Sequence, residues 1–437
     1  MSFFFFFSGE ILKESAMKNA HLYNENWWGF ANLEEFLSTL DTPPLSSNMY
    51  QKEHDNIATA WEKVAENEMY CAATEEKHLA VQAGKVGIPM LTVVVDGCWA
   101  KRSYRINYSS LSGAAAIVGI RTKKVLYMAV RNRYCMVCSR AAAVNKLPGK
   151  HCCSKNWHGS CSSMEANIIQ EGFQNSVAMY GVKYVKVIGD GDSNVYKTML
   201  DSRFYDELQV EKLESQNHLF RNFCLMLRDI VRDSKAGSIT LRQCLGKNIL
   251  RLRKSVISAT AHLTKNEVNF DCCFILQKHI LNAPYHVFGD HQNCVYSVWS
   301  IQRKNNKNWI PDLLESGLLY KIMNVVSNLA DNSKNLLFSA NNNCVEQFHS
   351  IVIKFMGGKR VNFCLRRSYL ARCSGAVISH NSESFMSRVH KSMYNTSPGN
   401  FVKSTERREN DLIRRKRKMS WPRCRKSLFL ENGPNKN

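Results

Sequence analysis

The chain has 437 residues, and with 44% hydrophobic and 22% charged residues its composition is typical of a folded protein of about two or three domains. Lys and Arg number 59 against 37 Asp and Glu, and the resulting net charge of +22 favours a polyanionic partner, nucleic acid first. No apolar run reaches the roughly 18 residues of a membrane span, and the Phe3–Phe7 run is too short for a signal peptide, so we expect an intracellular protein.

The first part of the chain is predicted to be helical. Pro43 and Pro44 interrupt it, and residues 60–81 then run without Pro or Gly and with mixed charges. We interpret residues 1–90 as an N-terminal helical accessory segment.

From Leu91 the pattern changes to β-branched runs, and the first of these, TVVVD, closes at Asp96. The runs GAAAIVGIRT and KKVLYMAVRNRY follow. They are separated by polar residues at Thr122 and Lys123, which predicts a hairpin beside the first strand.

Apolar residues at helical spacing predict a helix over Met164–Tyr180, and the strand YVKVIG that follows it ends at Asp190. A helix at about Ser193–Ser202 and a strand in LQVEKLES complete the order β-β-β-α-β-α-β. This is the order of an RNase H-like sheet. We therefore predict an α/β fold with an RNase H-like mixed sheet flanked by helices, of which residues 91–215 form the first part.

After this core the chain has few strand signals until the Asn341–Asn343 cluster, and Asp190 and Glu346 are much further apart than a crossover requires. We predict a large all-helical insertion over residues 216–340. A helix in NCVEQFHSIVIKFMGG then carries Glu346 in its first turn and completes the core over residues 341–380.

Residues 381–437 lose the apolar periodicity and are interpreted as a basic C-terminal tail. The run Arg414–Lys418 within it is suited to nuclear import or to contact with nucleic acid, so we expect the protein in the nucleus. An ordinary solvated tail would have a similar composition.

Asp96, Asp190 and Glu346 stand where a metal-dependent nuclease needs its carboxylates. An aspartate at the end of a buried strand is held rigidly, and its side chain reaches the edge where open α/β sheets bind ligands. Mg²⁺ and Mn²⁺ prefer such oxygen ligands, and two ions about 4 Å apart stabilise both reacting oxygens of a phosphodiester. Acidic residues also cap turns and helices, so the prediction depends on the three together.

The 16 cysteines are scattered over a long basic chain, which favours reduced thiols and metal ligands over a disulfide framework. A Cys-x-x-Cys is followed by His and Cys at a separation seen in structural zinc sites, and we predict a zinc loop over residues 135–161. The predicted Zn²⁺ ligands are Cys135, Cys138, His151 and Cys153. Cys152 competes for the fourth position.

A second group, His286, His291 and Cys294, lies in the sequence HVFGDHQNC. It offers three metal ligands and no clear fourth, so the sequence leaves open whether it binds a metal.

Several segments together resemble the Mutator-like element transposases, in the divergent animal branch that carries a Mutator-like transposase domain. They lie between about residues 50 and 390 and are VVVDGCWAKRSY, YCMVCSRAAA, HCCSKNW, SSMEANIIQEGF, VIGDGDSNVYKTML, ESQNHLFRN and NNNCVEQFHSIVIKFMGGKRVNF. The resemblance implies an RNase H-like DDE core interrupted by a helical insertion, two Mg²⁺ or Mn²⁺ ions, and cut-and-paste DNA transposition. It assigns the catalytic triad to Asp96, Asp190 and Glu346.

The resemblance also implies a Cys or Asp followed by a His after the second aspartate, and these positions fall on Ser215 and His218. His218 matches and is expected to orient a catalytic group or the scissile phosphate, whereas Ser215 departs from the pattern. Asp192 is an alternative second aspartate, and Asp190 is preferred because it directly follows the apolar strand.

Basic residues near the three acids are expected to contact DNA phosphates, although ordinary surface charge would look the same. They are Lys101, Arg102, Lys354, Lys359 and Arg360. Because many transposases bring two DNA ends together as oligomers, we also expect a homo-oligomer, for which the sequence identifies no interface.

Two other functions compete with the enzyme. Ser215, together with the lack of an evident N-terminal zinc DNA-binding domain, favours a relic or domesticated transposase that binds nuclear DNA without cutting it. A DEDD-type exonuclease would need a second acid two residues after Asp96, and Cys98 occupies that position.

Overall fold

The structure is a computed structural model, and the residues that it describes form a mixed α/β protein with two compact units. The described residues are 29–39, 41–82, 87–100, 110–189, 193–205, 208–264, 270–294, 299, 307–338, 341–358, 363–364 and 367–429. The first unit comprises the described residues up to Tyr184, those within Asp201–Glu207 and those from Cys344 onward. The second comprises those within Val185–Leu200 and Leu208–Asn343.

Five strands form one mixed sheet. They are β1 (Met90–Trp99), β2 (Ser112–Gly119), β3 (Val125–Asn132), β4 (Lys183–Gly189) and β5 (Glu211–Glu214). Their order across the sheet is β3-β2-β1-β4-β5. The β1–β2 and β2–β3 pairs are antiparallel, and β4–β5 is parallel.

Helices make up most of the rest of the described chain. In chain order they are α1 (Phe30–Thr39), α2 (Ser47–Gln82), α3 (Met136–Ala143), α4 (Ser163–Tyr180), α5 (Ser193–Ser202), α6 (Gln216–Arg232), α7 (Ile239–Thr264), α8 (Phe270–Phe288), α9 (Ile310–Glu315), α10 (Leu318–Ala330), α11 (Ser333–Leu337), α12 (Asn343–Phe355), α13 (Ser368–Asn381), α14 (Phe385–Tyr394) and α15 (Asn400–Phe429). Among the residues searched, no helix is long and apolar enough to span a bilayer.

The predicted hairpin is present as β2 and β3. Strand β2 is buried along its whole length, and its small and β-branched residues suit a strand that is covered on both faces. The turn passes through Thr122 and Lys123, and Lys123 adopts a left-handed φ of 58°. The carboxylate of Glu76 in α2 accepts hydrogen bonds from the backbone N–H groups of Arg121 and Thr122 at 3.0 and 2.8 Å. Helix α2 is thereby fixed to the hairpin.

The helix predicted over Met164–Tyr180 is present as α4. The helix is followed by Gly181, whose left-handed φ of 63° ends it without steric strain because glycine has no Cβ. Helix α4 packs on β1, β2 and β3. A Cβ at Gly172 would lie 2.5 Å from Ile117 and 2.6 Å from Tyr127, so this glycine lets the helix backbone approach the sheet closely.

Helix α12, which carries Glu346, is held in the first unit by α2 and α13. The ring of Phe355 meets that of Trp61 edge to face, with centroids 6.0 Å apart. Arg372 of α13 donates a hydrogen bond to the Phe355 carbonyl at 2.7 Å. A Cβ at Gly375 would lie within 2.9 Å of both aromatic rings, so glycine is needed where the three helices meet.

Helices α6 to α11 lie in the second unit and share one apolar core. Helix α6 shows the pattern, because Phe220, Phe223 and Leu227 recur at intervals of three and four residues and are buried. The sequence predicts helices through this stretch, and the structure has them. The limits of the insertion at residues 216 and 340 stay a prediction.

The loss of apolar periodicity after residue 381 does not mean a loss of regular structure. The described part of this region contains α14 and α15. Helix α15 is rich in Arg, Lys and Glu, which have high intrinsic helix propensity, and its Arg414 forms an ion pair with Glu383 at 2.9 Å. Periodicity alone therefore misses a helix whose residues are mostly charged.

Candidate active site and metal centre

Asp96 lies within β1, where it pairs with Ala116 of β2. The strand continues through to Trp99, so the prediction that Asp96 ends the strand is wrong. Residues 97–99 have few apolar β-branched side chains, but their pairing with residues 113–115 of β2 extends the strand. The Asp96 side chain is 24% exposed, and its Oδ1 accepts a hydrogen bond from the backbone N–H of Gly97 at 2.9 Å.

The other carboxylate oxygen of Asp96 faces helix α12. Asp96 Oδ2 lies 3.3 Å from His349 Nδ1. His349 is buried, and its Nε2 has no hydrogen-bond partner among the described residues. Sequence reasoning missed His349, whose only signal was a His three positions after a candidate catalytic Glu.

Glu346 lies in the first turn of α12, as the sequence predicts, and its side chain is exposed. It precedes His349 by three residues, and side chains at this spacing leave a helix on the same face with their Cβ atoms about 5–6 Å apart. No Lys or Arg forms an ion pair with Glu346 or Asp96 in the described part of the chain. Two of the three predicted acids thus lie on elements that meet through His349.

Strand β4 ends at Gly189, directly before Asp190. Asp190 itself lies outside the described residues. The alternative aspartate, Asp192, also lies outside the described residues. So do four of the five predicted phosphate contacts, which are Lys101, Arg102, Lys359 and Arg360. Lys354 is described, and it is exposed in the last turn of α12.

Ser215 and His218 lie where β5 passes into α6 in the second unit. Strand β5 runs parallel to β4, with Glu214 opposite Gly189, so both residues follow the same edge of the sheet as the end of β4. Ser215 is fully buried and donates a hydrogen bond to Asn342 Oδ1 at 3.2 Å. His218 Nδ1 lies 3.8 Å from a carboxylate oxygen of Glu214.

The structure brings the four predicted zinc ligands together. Cys135 Sγ and Cys138 Sγ lie 3.3 and 3.4 Å from His151 Nε2, and Cys138 Sγ lies 3.5 Å from Cys153 Sγ. All four ligand atoms fall within 4.8 Å of one another. Tetrahedral Zn²⁺, with bonds of about 2.3 Å to sulfur and about 2.0 Å to nitrogen, holds its ligand atoms roughly 3.5–3.8 Å apart. The cluster could therefore hold a metal ion, and Cys152 is not part of it.

Hydrogen bonds around the cluster orient and polarise its ligands. His151 Nδ1 bonds the Gly149 carbonyl at 2.7 Å, which directs Nε2 into the cluster as in many metal-bound histidines. That bond, followed by those with the Cys153 and Cys135 thiols, raises the pKa of His151 to about 9. Burial raises the pKa of Cys135, but backbone hydrogen bonds at Cys138 and Ser154 outweigh it and bring this pKa down to about 5.

A model of the Mutator-like transposase family matches residues 26–299, which is well over half of the chain. Asp96, the Cys/His cluster and Asp190 fall within the matched residues, whereas Glu346 lies beyond them. No curated protein and no solved structure matches the chain. The family match shows that the chain belongs to the Mutator-like transposases.

Proposed function

We propose that this protein cleaves DNA phosphodiester bonds at transposon ends and transfers the freed strand to target DNA, with Asp96, Asp190 and Glu346 as a DDE triad. One observation carries the proposal most directly. His349 joins the strand that bears Asp96 to the helix turn that bears Glu346, through a contact of 3.3 Å. Two acids that are far apart in the sequence are thus on neighbouring elements.

The topology supports an RNase H-like core. Three consecutive antiparallel strands are followed by a helix and a strand, and β1 lies between β2 and β4 in the sheet. In this arrangement the strand of the first acid and the strand preceding Asp190 are neighbours. The long helical stretch before Glu346 supports the proposed insertion into this core.

The described donors fit hard divalent cations. Asp96 and Glu346 offer carboxylate oxygens that no described Lys or Arg neutralises, and Mg²⁺ and Mn²⁺ prefer such oxygens to sulfur or nitrogen. Two bound ions would stabilise the charge that develops on the attacking and leaving oxygens of the phosphodiester. Asp190 completes the donor set in this proposal.

The protein's own residues would position these carboxylates. The Gly97 N–H donates a hydrogen bond to one oxygen of Asp96, and His349 Nδ1 lies 3.3 Å from the other, so both would restrict rotation of the carboxylate. Glu346 stands at the start of a helix fixed by Phe355 and Arg372. His218, which lies close to Glu214, is proposed to orient a reacting phosphate or a neighbouring group.

We assign a structural Zn²⁺ to Cys135, Cys138, His151 and Cys153. Three thiols and one imidazole suit this ion, and their spacing fits tetrahedral coordination. Of the residues from 136 to 160, none is buried, so this loop has no apolar core of its own. Its fixed conformation is therefore attributed to the metal.

DNA is the proposed partner, and the nucleus the proposed location. The net charge of +22 supports binding to a polyanion. Arg415 and Lys416 are exposed on α15, where they are available to nucleic acid or to an import receptor, whereas the exposed Arg414 is paired with Glu383. Assembly into a homo-oligomer on two DNA ends is part of the same proposal.

A second candidate is a catalytically impaired transposase that binds nuclear DNA without cutting it. Ser215 favours it, because this residue replaces the expected Cys or Asp and its hydroxyl is engaged with Asn342 inside the protein. A serine used in this way is not free to act on a substrate.

Nicking of supercoiled plasmid DNA by the full-length protein, with and without Mg²⁺ or Mn²⁺, tests the proposal. We expect Asp96→Asn and Glu346→Gln each to lower the metal-dependent nicking rate at least about a hundredfold. This is more than the usual loss of activity when a residue that only orients a metal ligand is removed. Asp331→Asn, at an exposed acid of the second unit, is the matched control and should keep the full rate. Equal rates for the Asp96→Asn variant and the unaltered protein would exclude the triad. Tight DNA binding with no nicking by the unaltered protein would support the second candidate.

A further inference from the structure

The end of helix α8 carries a second cluster of metal-ligating side chains, distant in sequence from both sites above. Cys294 Sγ lies 3.3 Å from His286 Nδ1 and 3.5 Å from His291 Nδ1. The three ligand atoms all fall within 4.8 Å of one another. The two distances from Cys294 Sγ are close to the separation between the ligands of one tetrahedral ion, which is roughly 3.5 Å.

The backbone is built to bring these three side chains together. His286 lies in the last turn of α8, and Gly289 then adopts a φ of 100°, which reverses the chain and returns the loop toward the helix end. A Cβ at Gly289 would lie 2.9 Å from the Lys307 carbonyl oxygen, so space as well as conformation requires glycine. His291 and Cys294 follow in the returning loop.

A stacking contact with Trp299 holds the His286 ring in place. The two rings have centroids 4.9 Å apart and an interplanar angle of 20°. Trp299 is buried and donates from its indole nitrogen to the Ser255 carbonyl at 3.0 Å. The imidazole is therefore oriented by a residue that is anchored in the core of the second unit.

The loop itself lacks apolar anchors. No side chain from Asp290 to Cys294 is buried, and hydrogen bonds rather than apolar packing shape the described part of the loop. Asn282 donates to the Asn293 carbonyl at 2.8 Å, and Asp290 accepts from the Gln292 N–H at 3.0 Å. A short polar loop without a core gains much of its rigidity when a metal ion links it to a helix.

We propose that His286, His291 and Cys294 bind a Zn²⁺ ion that ties this loop to the end of α8. Two imidazoles and one thiolate form a borderline-soft donor set, which suits Zn²⁺ and disfavours the hard Mg²⁺ or Mn²⁺ of the proposed catalytic site. The described residues supply three ligands, and water fills the fourth position. His291 is exposed, so the fourth position is open to solvent.

Zinc content per chain, measured by mass spectrometry on the full-length protein after removal of loosely bound metal, tests the proposal. We expect about two zinc ions per chain, one in each Cys/His cluster. Cys294→Ser should lose about one of them, and the double variant Cys135→Ser/Cys138→Ser, which leaves only two ligands in the first cluster, should lose the other. Cys273→Ser is the matched control, since Cys273 is a half-buried cysteine of α8 outside both clusters, and it should lose none. Unchanged zinc in Cys294→Ser would overturn the proposal.

Cobalt spectra give a second, independent measurement. In the Cys135→Ser/Cys138→Ser background, which leaves only two ligands in the first cluster, Co²⁺ should produce visible d–d bands with a weak thiolate charge-transfer band from a single sulfur. Adding His286→Asn should remove both bands, while far-ultraviolet circular dichroism reports whether the chain remains folded. Absence of these bands in the folded Cys135→Ser/Cys138→Ser variant would reject the second site.

Discussion

His349 Nδ1 lies 3.3 Å from Asp96 Oδ2, so a histidine of helix α12 contacts the acid of strand β1. His349 is buried, and it follows Glu346 by one helical turn. In the proposed active site, His349 would position Asp96 rather than touch the substrate. Removing it should loosen the carboxylate without removing any metal ligand.

We expect His349→Ala to raise the Mg²⁺ concentration needed for half-maximal nicking by about 10- to 100-fold, the usual effect of losing a residue that orients a metal ligand. His349→Asn, whose amide can still donate to Asp96, should recover part of the loss. Titration of Mg²⁺ against the nicking rate measures the shift, and His262→Ala in the second unit is the control. A fall in stability with unchanged metal dependence would show that His349 serves packing alone.

The sequence predicts the elements that carry or precede these acids better than it predicts the contacts around them. The strand before Asp190, the helix of Glu346 and the zinc ligands all follow local patterns of spacing and residue type, which the sequence displays directly. His349 does not, because a histidine on the buried face of an amphipathic helix usually belongs to the core. Only the nonlocal contact between β1 and α12 distinguishes it.

Loss of metal from the cluster of Cys135, Cys138, His151 and Cys153 should open the loop that contains these ligands. Arg140, Lys146 and Lys150 are exposed in this loop, and trypsin can cut after each of them once the surrounding backbone opens. We expect Cys138→Ser, or treatment of the unaltered protein with a zinc chelator, to speed cleavage here at least about tenfold, equivalent to about 1.4 kcal/mol of lost protection. Peptide mapping after limited proteolysis locates the cuts.

The matched control for this experiment is Cys71→Ser, at an exposed cysteine of α2 outside both clusters. It should be cut as slowly as the unaltered protein. If Cys138→Ser also resisted trypsin, the hydrogen bonds of the loop would suffice to hold it and the structural role of zinc would be rejected.

The fold shows the same division between local and nonlocal information. The hairpin and helix α4 follow from polar turns, a terminal glycine and helical periodicity, all of which are local. The extension of β1 beyond Asp96 depends on pairing with β2, and α15 forms without an apolar stripe. The packing of α2 against α13 could not be predicted either, since no residue of α2 indicates its partner.

Gly375 tests the packing that holds the Glu346 helix. We expect Gly375→Ala to lower the free energy of unfolding by about 1–3 kcal/mol, because its methyl group would overlap the rings of Trp61 and Phe355. Gly246→Ala should instead raise it by about 0.5–1 kcal/mol, since Gly246 is an exposed residue inside α7 and its nearest neighbour is 3.6 Å away. Chemical denaturation of both variants measures the difference. A stable Gly375→Ala variant would mean that the three helices have room to move apart.

Lys354 tests whether the exposed end of α12 contacts DNA. It lies two helical turns after Glu346 and forms no ion pair with the described residues, so its charge is available to a phosphate. We expect Lys354→Ala to weaken binding to all DNA sequences alike and to reduce the slope of log affinity against log salt by about 1, the contribution of one phosphate contact.

Lys63→Ala, at an exposed lysine of α2, should leave the slope unchanged. The measurement is fluorescence anisotropy with labelled duplex over a range of salt concentrations. If both variants kept the original slope, Lys354 would be ordinary surface charge, and the phosphate contacts near the acids would have to come from other residues.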